Sequence, residues 1–180
     1  MKYSICLFAL LFFSAPLFSQ TKKEAANTKS IQWLTVEEVQ AKMKKEPRHV
    51  YVDVYTDWCY WCKVMENKTF SNAQVIEFMN ANFYCIHFNA ERKDTVLFNG
   101  KKYSILEGSN INELAADWMN NQMSYPTSIL FDPNFTNKQP IPGYLDIPTF
   151  EMIIKYIAGN KQKSIPFEKW KSEFKGEWGK

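Results

Sequence analysis

Apolar residues along this chain switch repeatedly between helical and strand spacing, which predicts alternating helices and strands. Residues 31–33 read as a short edge strand. Residues 35–46 read as a helix: Thr35 and Glu38 form a capping box, Leu34 and Val39 have staple spacing, and Val36, Val39 and Met43 share one side. Pro47 ends it. Residues 49–55 are β-branched and aromatic and predict a central strand. A helix over 59–70 restarts over 71–82, where Ser71 and Gln74 form a second capping box. Residues 83–88 are a further strand.

The pattern is less regular from 89 to 123. Asn99-Gly100, between residues 95–98 and 101–105, is a two-residue hairpin signal. Residues 111–121 predict a helix with Leu114, Ala115 and Trp118 on its apolar side. Residues 127–131 are a strand, and 138–144 pair with it at an edge, because Pro140 and Pro142 cannot sit in a sheet interior. A helix follows over 148–158, and a short amphipathic one over 164–178 through Phe167, Trp170 and Phe174.

The first 30 residues read differently. Lys2, an apolar run from Ile5 to Phe13 and a small, polar stretch from Ser14 to Ser19 make a tripartite secretory signal. The run is too short for a spanning helix, which needs about 20 residues. Cys6 lies inside it, which argues against a lipid-anchor cysteine. The expected division is a signal peptide over 1–19, a flexible lead-in over 20–30, one α/β domain over 31–160 and a C-terminal extension over 161–180. The mature chain is expected in a periplasmic or secreted setting, where disulfides persist. Aromatic residues at 16% promise a large apolar area to bury. A net charge of 22 − 19 = +3 does not support a nucleic-acid partner, which needs a clustered basic face.

The chemistry is concentrated in Asp57-Trp58-Cys59-Tyr60-Trp61-Cys62-Lys63, after an apolar strand and at a helix start. A helix N-terminus offers unpaired N–H groups and a partial positive charge. Both favour a thiolate at Cys59, and the thiolate is the nucleophile. Cys62, one turn on, is placed to attack a mixed disulfide formed by Cys59 and release its partner. Other readings of the pair remain. A zinc site would need ligands from Cys85, His49 and His87, as there is no second Cys-x-x-Cys. Haem attachment needs a His where Lys63 stands. A purely structural disulfide would close too small a loop to restrain the unfolded chain much.

Asp53 shares its strand face with Tyr51 and Tyr55, opposite Val50, Val52 and Val54. Burial there is expected to raise its pKa. Lys63 is either its counter-charge or a solvated helix residue. Cys85, His49 and His87 read as structural. Trp58, Tyr60 and Trp61 are candidates for an apolar docking rim, with core packing as the alternative for at least one of them.

These residues carry a resemblance. Val50-Tyr51-Val52-Asp53-Val54-Tyr55, Trp58-Cys59 with Cys62-Lys63, Tyr125-Pro126-Thr127 and Gly143 together resemble the thioredoxin superfamily over residues 31–158. Cys62-Lys63-Val64-Met65-Glu66 and Thr69-Phe70 are similar to a secreted branch that includes the periplasmic domain of the transmembrane disulfide-reductant carrier. The resemblance implies a central mixed sheet flanked by helices, with residues 95–105 as a surplus hairpin before the strand that follows Pro126. It implies proton transfer between Asp53 and Cys62, and a cis bond at Tyr125–Pro126 beside Cys59, where an extended substrate would pair as an added strand. The implied partners are protein disulfides and an upstream thiol donor, either membrane-bound or free. No metal or cofactor is implied, and a monomer is expected. Two function classes stay open: a thiol:disulfide oxidoreductase, leaning towards reductase or isomerase because Tyr60-Trp61 adds no cation for the thiolate, and a redox-inert binding module. The hairpin either borders the active-site face or decorates a remote surface.

Overall fold

The computed structural model describes residues 29–179; the signal segment and most of the lead-in lie outside them. Five strands form one sheet in the order β1 (Trp33–Leu34), β3 (Phe83–Asn89), β2 (His49–Tyr55), β6 (Thr127–Phe131) and β7 (Gln139–Pro142). β1, β3 and β2 run parallel, and β6 and β7 are antiparallel to their neighbours. β2 is therefore central, and β7, with its two prolines, is an edge.

Each face of the sheet carries its own apolar core. Val50, Val52 and Val54 of β2 pack with Val36 and Val39 of α1 (Val36–Met43) and with Leu114, Ala115 and Trp118 of α4 (Glu113–Trp118). Tyr51 packs on the opposite face with α2 (Tyr60–Lys68), α3 (Ala73–Asn82) and α5 (Ile147–Ala158). The period-2 alternation of β2 thus serves both layers.

The caps follow the sequence with one exception. Thr35 and Glu38 make the reciprocal capping box of α1. At α3 the cap is Asn72, whose side chain accepts from the backbone N–H groups of Gln74 and Val75. The expected Ser71 instead donates its hydroxyl to the Asn67 carbonyl. An Asn side chain caps as well as a Ser, and Asn72 is the residue directly before the first helical position, Ala73.

The surplus hairpin is present as β4 (Val96–Phe98) and β5 (Lys101–Tyr103), turning through Asn99 and Gly100, both at positive φ. It lies remote from the Cys59 loop, as the second expectation has it, but as a packed element rather than decoration. Val96 and Phe98 are buried in the α1–α4 core, where the Phe98 ring meets Trp118 and Phe135. Gln40 and Glu37 of α1 bond the Leu97 and Asn99 backbone. The Asn99-Gly100 tip shares a cleft with Met43, Pro47 and Pro133–Phe135, at the end of the sheet opposite the Cys59 loop.

The C-terminal extension is less helical than its pattern suggests. α6 spans Phe167–Glu173 only and packs on α5 through Tyr156 with Phe167 and Trp170. Phe174 to Trp178 leave the helix because buried Glu151 draws the Glu177 and Trp178 N–H groups to its carboxylate, and Lys155 pairs with the same group.

Candidate active site

β2 ends at Tyr55, and the chain turns through residues 56–58, with the Cys59 N–H donating to the Thr56 carbonyl at 3.1 Å. Cys59 is the N-cap of α2, and its Sγ accepts from the Cys62 N–H at 3.0 Å. Sulfur here occupies the place an N-cap oxygen normally fills. A helix start with no acidic residue in its first turn favours negative charge on that sulfur. Cys59 and Cys62 are joined as a disulfide. Cys59 is 4% exposed and Cys62 6%. Both members of the oxidised pair are therefore buried to a similar degree, rather than Cys59 standing open over a more buried Cys62.

Around this buried pair the surface is aromatic. Trp58, Tyr60 and Trp61 are 64%, 70% and 54% exposed, so none of the three is a core residue. The Trp58 ring sits edge-on to Tyr125, and its Nε1–H donates to Glu91 at 3.1 Å. Trp61 stacks at a tilt on Tyr144. These contacts bring the Tyr125–Pro126 segment and the Gly143 turn to the Cys59 loop. The Tyr125–Pro126 bond is cis. Gly143, at φ 97°, donates its N–H to the Pro126 carbonyl at 2.8 Å, a backbone conformation that favours glycine.

Asp53 points from β2 towards the α2 side of the sheet and is 2% exposed. Burial raises its pKa; a hydrogen bond and charge from His87 oppose the rise, and Glu66 adds to it. The partner of Asp53 is His87 of β3, its register neighbour, with Nε2 at 3.2 Å from Oδ2. Lys63 is exposed on α2 and is not that partner. The sequence alone leaves His87 structural, because the register of two strands cannot be taken from either one alone. The available signal is that in 83–89 His87 is the titratable member of the alternating set Phe83, Cys85, His87 and Asn89, as Asp53 is an acid in the alternating set of 49–55.

Among the described residues, the other cysteine and the other histidine stay apart from the site. Cys85 is buried opposite Tyr51, and burial raises its thiol pKa far above the ordinary range. His49 sits at the far end of β2, with Nδ1 at 3.2 Å from the Phe131 carbonyl oxygen.

Asp53 also makes stability pH-dependent. The folded state holds this proton to higher pH than the unfolded chain does. Stability therefore falls as pH rises from about 4, the unfolded carboxyl's pKa, through the folded value. Asp53→Asn removes that loss. Urea melts are expected to show the variant more stable than the parent at pH 8, with the difference vanishing towards pH 4.

Fold, disulfide position and flanking residues define a thioredoxin-fold protein built around a Cys-x-x-Cys redox pair. The family described as Thioredox_DsbH, a protein of unknown function (DUF255), matches residues 19–143, and the chain belongs to that family. Among solved structures, a DsbH oxidoreductase superposes with a TM-score of 0.54 at 14% identity, covering 81% of this chain and 95% of its own. A thioredoxin-fold protein from Helicobacter pylori gives 0.55 at 15% identity, covering 70% and 81%. At such identities the likeness is one of fold. Spermatogenesis-associated protein 20 of Mus musculus is 33% identical over 55 residues, which are 31% of this chain and 7% of the mouse protein. The chain thus matches a small part of that relative.

Proposed function

We propose that this protein reduces or isomerises disulfides in other proteins by thiol–disulfide exchange. The observation that carries the proposal is Cys59 at the N-cap of α2, its Sγ already accepting the Cys62 N–H, with an acid buried beneath the same helix. In the reduced protein the Cys59 thiolate attacks one sulfur of a client disulfide. A Cys59–client bond forms, the client S–S bond breaks, and the second client sulfur leaves as a thiolate that takes a proton from water. Cys62 then gives its proton to the Asp53 carboxylate and attacks Cys59. The Cys59–Cys62 disulfide forms, the Cys59–client bond breaks, and the first client sulfur departs as a thiolate that takes a proton from water, while Asp53 later returns the Cys62 proton to solvent. Two electrons have passed to the client, and an upstream thiol donor returns them.

Trp58, Tyr60, Trp61 and Tyr125 form the docking rim, and the backbone at Tyr125–Pro126 takes an extended client segment as an added strand. The periplasmic or secreted setting rests on Lys2 and the apolar run from Ile5 to Phe13. The test is insulin reduction with dithiothreitol as donor. The protein is expected to accelerate precipitation of the insulin B chain catalytically. A rate equal to the uncatalysed reaction, with the Cys59–Cys62 pair shown to be reducible, points instead to a redox-inert binding module.

A further inference from the structure

His87 occupies a confined position. Its ring lies between Tyr55 (centroids 3.8 Å apart, planes 21°) and Trp33 (5.1 Å, 29°), so it is clamped on both faces. One edge presents Nε2 to Asp53 Oδ2 at 3.2 Å, while the side chain keeps 25% of its surface exposed. The acid is asymmetric as a result. Oδ2 has His87, whereas Oδ1 is buried without a hydrogen-bond partner among the described residues. A buried carboxyl oxygen with no donor is costly to leave unpaired, and it is the stronger proton acceptor of the two.

We infer that His87 is a positioning residue: it holds one oxygen of Asp53 by donating Nε2–H, leaving the other to take up the Cys62 proton. This inference rests on the exchange reaction proposed above. The step balances without another reactant. The Cys62 thiol proton passes to Oδ1 as Cys62 bonds to Cys59, and Nε2–H stays on Oδ2 throughout. The ring clamp prevents the imidazole from turning away when the acid becomes neutral. The other titratable or charged groups around the pair are Tyr51 and Tyr55 on β2, Glu66 on α2, Asp57 in the active-site loop and Arg92 after β3. Glu66 is the one beyond His87 whose charge bears on Asp53 itself, and it acts in the opposite sense.

The test follows the Asp53 carboxyl carbon by NMR across pH in the full mature chain and in three variants, with pH–rate profiles for single-turnover reduction of a small aromatic disulfide. His87→Phe keeps a ring in the clamp and removes the donor. Its Asp53 midpoint is expected to rise by about 1–3 pH units, the size of a lost close charged or hydrogen-bonded partner. The base-dependent limb of the rate profile is expected to move by the same amount. His87→Lys is expected to bring both back, and His87→Gln, a donor without charge, to fall between. An unmoved carboxyl titration in His87→Phe overturns the inference. If that variant does not fold, an Asp53 midpoint in His87→Gln equal to the parent's overturns it equally. The NMR readout is independent of turnover, so a parent lacking reductase activity defeats the proposed function while leaving the Asp53–His87 pairing separately decided.

Discussion

Cys59→Ser is expected to abolish disulfide reduction, and Cys62→Ser to convert the protein into a trap. Without Cys59 no mixed disulfide forms, because the remaining thiol lacks the N-cap position where the Cys62 N–H meets sulfur. Without Cys62 the first attack proceeds, but release depends on an external thiol. The loss of an attacking group one helical turn away slows that step by at least ~10³-fold, well within the effective molarity of a positioned neighbour. Non-reducing gels and mass spectrometry of the Cys62→Ser protein with oxidised clients are expected to show Cys59-linked adducts. The Cys59→Ser protein is expected to show none. Alkylation of the reduced parent at mildly acidic pH checks the same assignment, since labelling of Cys62 ahead of Cys59 reverses the roles.

Phe98→Ala is expected to destabilise the fold by about 3–5 kcal/mol, as removal of a buried aromatic side chain leaves a cavity. Phe98 is 7% exposed and meets Trp118, Phe135 and Tyr103, so no single neighbour can close the gap. The neighbouring Leu97→Ala is expected to stay within about 0.5 kcal/mol, because that side chain is 47% exposed. Urea denaturation of both variants reads the difference. A small effect at Phe98 would return the hairpin to a dispensable surface feature. Neither variant is expected to change the rate on a small disulfide under conditions where both are folded, since the hairpin tip lies at the other end of the sheet.

Much of this was legible because the relevant signals are local. The central strand, the capping box at Thr35, the Asn99-Gly100 turn and the edge strand with Pro140 and Pro142 each depend on a few adjacent residues. So does the placement of Cys59 at a helix start. What was not legible depends on tertiary pairing. Where the apolar residues of the hairpin dock is one such case: α1 and α4 together supply the cavity for Phe98. Phe174 to Trp178 kept a helical pattern that Glu151 overrides by capturing two of their amides. His87 meets Asp53 only because β3 aligns beside β2 in that register.

The two-sided packing of β2 has a consequence for how the chain avoids folding wrongly. Val50, Val52 and Val54 face one core while Tyr51 and Asp53 face the other, and a shift of β2 by one residue against β3 exchanges the two sets. Such a slip would thrust Asp53 among Phe88, Ile129 and Trp118, where no imidazole waits, and it would carry Cys59 off the start of its helix. A wholly apolar strand would tolerate that misalignment far better. The acid thus acts as a register pin during assembly: the same carboxyl to which the proposed exchange assigns the Cys62 proton penalises the neighbouring misfolded pairings, so a variant with an apolar residue at 53 would lose discrimination between alignments.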